Sequence, residues 1–448
     1  MPLTLKPSPD REVVDTEKAE AMVSSWRAEL LAYQTANPDS LLCDKIILAN
    51  KSYTKEAITV IAKFLTSTDE FSPSIASGIK YAGLDDMIAS RMEDEGLAVL
   101  TAISNAFENS QLVEVDLSDN AMGSKGLTAC EMVLGGKAVM NSMESLKLCN
   151  NGLSEYTMAE VATLLTNEHG IDGSCIAQNL RRVHFYNNMS GNQGCESFAQ
   201  IMAKASHKLE DIRMSGTRAR AEGSAYITSS LSSLADQNKL KNLAKLDLAD
   251  NSFGECFEDL ANALKSCPQL TYLNLNDCML TDEGVEAVCV ALLEADTPLE
   301  YLNLGGNDIT PEGAKSVVNL ITAVNSTIVT FIADENELTS KGIRIITKAF
   351  NSQTLKEITF NGTECGSIGA DAVVAMKDKV PNLETLAIDD NRIPEGAVER
   401  LTEAFGDILT EMEGNDDEED ADDDLSDDEG EDDASVDDLA AAMANVAV

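Results

Sequence analysis

A short apolar pattern recurs along the chain, in which two apolar residues alternate with one intervening position before a polar turn. It appears as "VDLSDN" ending at Asn120, "LKLCNN" ending at Asn151 and "LNLGGN" ending at Asn307. Alternating apolar residues over three positions predict a short strand with two side chains on one buried face. Segments such as "TDEGVEAVCVALLEA" follow with helical apolar spacing, so each unit is predicted to be one strand and one helix.

The spacing of these units predicts the fold. Nine steps join Asn120 to Asn391, and the last five are 27, 29, 29, 27 and 28 residues long. We align two weaker copies upstream, at Lys51 and at Leu84. One strand and one helix in 27 to 29 residues is typical of the longer, ribonuclease-inhibitor-like leucine-rich repeat. A single unit cannot bury its apolar face, so we predict an α/β horseshoe of about 11–12 repeats, with parallel inner strands and outer helices.

The last residue of each pattern is predicted to hold the turns together. It is Asn, or Cys or Thr in some copies, and a short polar side chain can bond the backbone groups of a buried turn. Thr281 and Thr310 are predicted to cap the helices that follow them. The predicted structural ladder of asparagines consists of Asn120, Asn151, Asn188, Asn251, Asn307, Asn336 and Asn391.

Three regions are expected from this pattern. Residues 1–41 are predicted to form an N-terminal helical cap with Trp26 on its apolar side, and residues 42–410 to form the repeat domain. Residues 411–433 hold sixteen acidic residues and no basic one, so we predict a disordered acidic tail over 411–448. We favour a frayed end over a docking helix for its last residues, "DDLAAAMANVAV".

Composition limits the possible partners. The formal net charge is -44, which repels nucleic acids and anionic membranes and favours basic proteins. The start, "MPLTLKPSPDREVV", has no apolar core, so we expect no signal peptide, and no apolar run is long enough for a membrane span. Ten cysteines without a CxxC pair favour buried apolar roles over metal binding and suggest the cytosol or nucleus.

The chain carries no nucleophile elbow, phosphate-binding loop, HExxH or kinase motif, which favours a binding surface over a self-contained enzyme. The residue just before each ladder position is mostly acidic or small, and Asn150 and Asn187 are the amides in that row. An amide can donate and accept, which suits the orienting of another amide or a water, although an ordinary solvated residue is the alternative. Arg91, in the loop after the second strand, is the second candidate, and a local ion pair with Asp85, Asp86, Glu93 or Asp94 is its alternative.

Several motifs together resemble the Ran GTPase-activating proteins, especially their plant-type members. "LKLCNNGLSE" is similar to the family's strand and loop with paired asparagines, and "RRVHFYNNMSGNQG" is similar to the next repeat. "LDDMIASRMEDE" resembles the segment that holds the family's loop arginine, and the acidic tail is also a family feature. The start does not match the plant targeting domain, which we expect to be absent.

The resemblance implies a GTPase-activating protein that acts in trans on the small GTPase Ran in nucleocytoplasmic transport and is not itself an enzyme. By resemblance, Asn150 orients the glutamine of Ran without an arginine finger, and Arg91 supports the loop. The implied partner is Ran-GTP, with a Ran-binding protein as a further one, and the chain is expected to be a monomer. GTP and Mg are bound by Ran, so no cofactor or metal is expected here.

The predicted partner-binding positions are Asp119, Asn187, Asp250 and Asp277 in this row, and Asp86 in the segment that holds Arg91. Glu93 departs from the family, since some members have a basic residue there. The resemblance implies a cytoplasmic protein, with the cytoplasmic face of the nuclear envelope as an alternative location. The alternative function is a non-catalytic leucine-rich-repeat scaffold that binds proteins.

Overall fold

Short parallel strands alternate with helices along the chain. The computed structural model describes residues 2–38, 40–169, 173–417 and 420–422. The strands are β1 (Leu3–Leu5), β2 (Glu12–Val14), β3 (Cys43–Ile47), β4 (Lys51–Tyr53), β5 (Tyr81–Gly83), β6 (Glu114–Asp116), β7 (Ser145–Lys147), β8 (Arg182–His184), β9 (Asp211–Arg213), β10 (Lys245–Asp247), β11 (Tyr272–Asn274), β12 (Tyr301–Asn303), β13 (Thr330–Ile332), β14 (Glu357–Thr359) and β15 (Thr385–Ala387). The helices are α1 (Thr16–Ala36), α2 (Lys55–Thr66), α3 (Ile75–Gly78), α4 (Glu93–Ala106), α5 (Gly123–Ala129), α6 (Glu131–Leu134), α7 (Glu155–Thr166), α8 (Gly191–Lys204), α9 (Ala221–Asp236), α10 (Phe257–Leu264), α11 (Thr281–Glu294), α12 (Pro311–Val324), α13 (Thr339–Ala349), α14 (Ser367–Met376) and α15 (Glu395–Phe405).

One parallel sheet organises the molecule. Within the described ranges it has 13 strands in the order β1-β3-β5, and then β6 to β15 consecutively. Its central apolar residues are in register, as in the pairings of Val115 with Leu146 and of Leu146 with Val183, and all three are buried. The predicted α/β leucine-rich-repeat fold is therefore confirmed, with twelve repeat strands, because β1 precedes the first repeat.

The asparagine ladder is also confirmed. All seven predicted asparagines are buried, and their amides join neighbouring repeats. Asn151, for example, accepts from the backbone N–H of Asn120 at 2.9 Å and donates to the carbonyl of Leu117 at 3.0 Å. Since the turns are buried, each amide satisfies backbone groups that water cannot reach.

One of the two upstream alignments needs correction. Ala82 pairs with Val115, so the ladder position of the second repeat is Met87 and not Leu84. Met87 has no amide, but its backbone N–H donates to the side chain of Asn120 at 2.9 Å, just as the N–H of Asn120 donates to Asn151. Lys51 occupies the ladder position of the first repeat, as aligned.

Of the two predicted helix caps, Thr310 caps its helix and Thr281 does not. Thr310 caps α12, accepting from the N–H of Glu312 at 3.1 Å. Thr281, however, lies inside the first turn of α11, which begins without a side-chain cap. The adjacent Asp282 instead binds the next repeat, accepting from the backbone N–H of Thr310 at 2.8 Å.

The N-terminal segment forms more than the predicted helix. Helix α1 is present, and Trp26 is buried, donating its indole N–H to the carbonyl of Lys6 at 3.0 Å. In addition, β1 pairs with β3 and β2 pairs with β4, so the segment adds strands beside the first repeat as a further repeat would. Its residues also surround the side chain of Lys51, which is 1% exposed and contacts Glu12 and the carbonyl of Asp10.

The repeat structure continues past the predicted boundary at residue 410. Asn415 accepts from the N–H of Ile393 at 3.1 Å and donates to its carbonyl at 2.9 Å, so it extends the ladder by one position. Asp420 and Asp422 accept from the N–H groups of Ser367 and Ile368 at the start of α14. The expectation of disorder from residue 411 is therefore wrong for residues 411–417 and 420–422, while residues 423–448 lie outside the described residues.

None of the helices in the described ranges combines the length and the apolar character that a membrane span requires.

Candidate partner-binding rim

A row of residues, here called the rim row, lies at the ends of the strands, directly before the ladder positions. It consists of Asn50, Asp86, Asp119, Asn150, Asn187, Gly216, Asp250, Asp277, Gly306, Glu335, Gly362 and Asp390. Every one of them has a positive φ, between 47° and 62°. Gly, Asn and Asp adopt this left-handed conformation at the lowest cost. The acidic or small composition of the row therefore has a backbone cause, which spacing alone did not reveal.

Asn150 lies at the centre of a chain of three side chains. Its amide nitrogen donates to the Oδ1 of Asp119 at 2.7 Å, and its amide oxygen accepts from Asn187 at 3.1 Å. Its backbone N–H donates to the carbonyl of Tyr186 at 2.7 Å. All three side chains are exposed to solvent. The amide of Asn150 is thus oriented by its neighbours, while one N–H and one oxygen lone pair are left for a partner.

Arg91 lies in the loop between β5 and α4, and one strand, β6, separates its repeat from that of Asn150. Its Nε donates to the hydroxyl of Ser52 at 2.9 Å, and its Nη1 lies 3.6 Å from the carboxylate of Glu95. Ser52 in turn donates to the carbonyl of Ala89 at 2.6 Å. The Arg91 side chain is 16% exposed, and its guanidinium ties the loop to β4 and α4 rather than projecting outward.

Sequence reasoning missed both partners of Arg91. Glu95 follows Arg91 by four residues at the start of a helix, and this i,i+4 spacing was the signal that could have revealed it. Ser52 carries no comparable signal, because it belongs to the preceding repeat. Glu93, one of the carboxylates predicted as an alternative partner of Arg91, forms an ion pair with Lys125.

The other predicted partner-binding residues lie in three different environments. Asp86 is half-buried and is bonded within the chain, since Arg11 of the N-terminal segment lies 2.9 Å from its carboxylate. Asp119 and Asn187 belong to the chain around Asn150. Asp250 and Asp277 are exposed on the rim row, but they lie three and four strands further along the sheet.

Two neighbouring carboxyls have altered acidity. Burial raises the pKa of Asp86, against the opposing effect of Arg11. Burial, followed by the negative charge of Asp116, raises the pKa of Asp85 to about 6. Both shifts disfavour the charged forms of these two carboxyls.

Comparison with known proteins places these features in context. The Leucine Rich repeat family matches residues 108–129, 266–289 and 295–318. RAN GTPase-activating protein 1 of Arabidopsis thaliana is 38% identical over 85 residues, which is 19% of this chain and 15% of that protein. Ran GTPase-activating protein 1 of Saccharomyces cerevisiae is 24% identical over 279 residues, covering 62% of this chain and 64% of that protein.

Proteins of other kinds also match parts of the chain. NACHT, LRR and PYD domains-containing protein 3 of Rattus norvegicus is 25% identical over 198 residues, or 44% of this chain and 15% of that protein. A chain from the crystal structure of the yeast Rad7 and Elc1 complex superposes with a TM-score of 0.49 at 15% identity, covering 88% of this chain and 92% of that chain. The chain therefore contains leucine-rich repeats and is similar to Ran GTPase-activating proteins over part of its length.

The cysteines and other possible metal ligands form no candidate site in the described ranges. No group of three or more His, Cys, Asp or Glu side chains there is arranged to hold a metal ion. Four cysteines spaced eleven residues apart, Cys256, Cys267, Cys278 and Cys289, form no disulfide, and all but Cys256 are buried. Burial raises the pKa of the Cys267 thiol to about 12, which keeps it protonated and unreactive.

Proposed function

We propose that this chain is a GTPase-activating protein for the small GTPase Ran, acting in trans in nucleocytoplasmic transport. Its similarity to the plant and yeast Ran GTPase-activating proteins supports the proposal. The plant match spans only 15% of that relative, so the activity and the partner are inferred for this chain. Ran would supply the GTP, the magnesium ion and the hydrolytic site, and this chain would supply one oriented side chain.

The observation that carries the proposal is the fixed amide of Asn150. Asp119 holds its donor side and Asn187 holds its acceptor side, and the residue remains exposed on the rim. A glutamine side chain of Ran could pair with the remaining N–H and lone pair of this amide. Since that glutamine orients the attacking water, fixing it would lower the barrier by positioning.

Arg91 has a supporting role in this proposal. An arginine finger must reach into the partner's nucleotide site, whereas the guanidinium of Arg91 is engaged by Ser52 and Glu95. It holds the loop that precedes α4 in place beside the turn of Asp119. Loss of Arg91 should therefore disturb this loop and weaken activation indirectly.

The setting of the reaction follows from the same proposal. A cytoplasmic activator would meet Ran-GTP after nuclear export, alone or with a Ran-binding protein. The cytoplasmic face of the nuclear envelope is the alternative location. The large negative charge favours basic surfaces on the partner.

A non-catalytic binding scaffold is the second candidate. The similarity to NACHT, LRR and PYD domains-containing protein 3 favours it, because that match also extends over 44% of the chain. A scaffold of this kind requires ladder residues and a stable sheet, but it does not require an oriented amide at Asn150.

Single-turnover hydrolysis of GTP by Ran separates the two functions. The informative variant is Asn150→Gly, because glycine tolerates the positive φ of 50° while it removes the amide. We expect wild-type protein to accelerate hydrolysis and Asn150→Gly to lose about 100-fold of that rate.

Asp390→Gly is the matched control for this experiment. Asp390 has the same backbone conformation, with φ of 52°, and lies in the repeat of β15. It should stay within about twofold of the wild type, the precision of such a rate comparison. A wild-type protein without any effect on Ran would overturn the proposed function, and a fully active Asn150→Gly would overturn the role of Asn150.

A further inference from the structure

A cleft of about 590 Å³ opens on the rim next to the chain of Asp119, Asn150 and Asn187. It lies between two loops of neighbouring repeats, residues 88–93 after β5 and residues 119–125 after β6. Asp119 belongs both to the wall of the cleft and to the chain that orients Asn150. Whatever enters the cleft therefore lies beside the candidate site.

The walls of the cleft are largely apolar. Ile88 and Leu97 are half-buried, and Met122 is buried behind them. At the lip, Met92 is 80% exposed, the highest exposure among the large apolar side chains of the described residues. A single exposed apolar residue needs no explanation, but one that continues the apolar wall of a cleft forms part of a binding surface.

The edge of the cleft is acidic. Helix α4 begins with Glu93, Asp94 and Glu95, and Asp119 stands on the opposite side. The two cations that line the cleft are both ion-paired, Lys125 with Glu93 and Arg91 with Glu95. The carboxylates of Asp94 and Asp119 therefore give the edge a net negative charge, which disfavours a nucleotide or a free phosphate as the natural occupant. An apolar group on a positively charged surface matches both the apolar walls and the acidic edge.

We propose that this cleft receives one large apolar side chain of the partner protein, presented on a surface that is otherwise basic. Interface anchors of this kind fill a desolvated pocket within a polar rim, and they dominate binding. The inference rests on the proposed function, in which that partner is Ran-GTP. The anchor would set the affinity of the complex and place the partner's glutamine against Asn150.

The test compares steady-state activation of Ran-GTP by three full-length variants. Met92→Ser removes the exposed lip, and Leu97→Ser replaces a half-buried apolar residue of the wall with a polar one. Met279→Ser is the matched control, because Met279 is 58% exposed on the same rim but follows β11, far from the cleft.

For the two cleft variants we expect KM for Ran-GTP to rise about tenfold with kcat within about twofold of wild type, as for loss of an interface anchor. The control should match the wild type. An unchanged KM in both cleft variants, or an equal rise in Met279→Ser, overturns the inference while the proposed function stands. A wild-type protein that neither binds nor activates Ran-GTP overturns both.

Discussion

At the scale of single residues, adjacent asparagines have separate tasks. Asn151 is 1% exposed and bonds the backbone of the preceding repeat, whereas Asn150 is exposed and adopts a left-handed backbone conformation. The sequence predicted the buried role of Asn151, because the strand pattern fixes which position faces inward. It did not predict the conformation of Asn150, which shows that an Asn is favoured there even without a partner.

This difference predicts distinct losses of stability. Asn151→Ala should lower the free energy of unfolding by about 1–3 kcal/mol, because buried backbone groups lose their partner. Asn150→Ala should cost only about 1 kcal/mol, through the strain of alanine at positive φ. Asn150→Gly, which relieves that strain, serves as the control and should remain close to wild type. Urea denaturation measures all three, and an Asn151→Ala variant as stable as wild type would contradict the ladder role.

Asp85 predicts a pH dependence of stability. Its pKa in the folded chain is raised from 3.8 to about 6, so folding favours its protonated form. The associated stability is complete below pH 4 and is lost as the pH rises through about 6. Asp85→Asn should therefore raise the free energy of unfolding by about 1–3 kcal/mol at pH 7 and leave it unchanged near pH 3.5. Urea denaturation at the two pH values tests this, and a gain equal at both would exclude titration of Asp85 as its cause.

At the scale of elements, the sequence predicted the repeats because each strand buries alternating apolar residues at nearly constant spacing. It failed where a strand lacks that signal. The pattern around Leu84 was displaced by three residues, since Met87 is apolar and does not resemble a ladder residue. Strands β1 and β2 are three residues long, and their pairing with β3 and β4 depends on the tertiary fold.

Loop contacts were the least predictable part of the candidate site. The position of Asn150 on the rim followed from its spacing to Leu146 and Leu148. The bonds from Asp119 and Asn187 join side chains 31 and 37 residues away from it in sequence, and only stacking brings them together. Arg91 bonds Ser52 in the preceding repeat for the same reason.

The last repeat shows how composition can mislead. Residues 411–422 are rich in acid, and the sequence therefore predicted disorder from residue 411 onward. Asn415 nevertheless completes the turn after Asn391, and Asp420 and Asp422 accept from N–H groups at the start of α14. Carboxylates are stabilising at a helix N-terminus, so these two negative charges stabilise the start of α14.

At the scale of the whole molecule, the end of the chain contributes both negative charge and contacts to the last repeats. The last 26 residues carry ten acidic and no basic residues, so their removal changes the formal net charge from -44 to -34. Before them, Asp420 and Asp422 bond the start of α14. Two truncations therefore separate the effect of charge from the effect of stability.

Deletion of residues 423–448 should leave thermal stability unchanged, because the contacts of Asn415, Asp420 and Asp422 remain. Association with a basic partner should become slower at low ionic strength and should depend less on salt, since steering by charge weakens. Deletion of residues 411–448 should show the same kinetic change and also a lower melting temperature, because the turn after Asn391 loses Asn415. Stopped-flow association with Ran-GTP at 20 and 200 mM salt, roughly spanning the range over which screening becomes strong, measures the first effect, and thermal melts measure the second. Equal melting temperatures for the two truncations would show that residues 411–422 do not stabilise the end of the sheet.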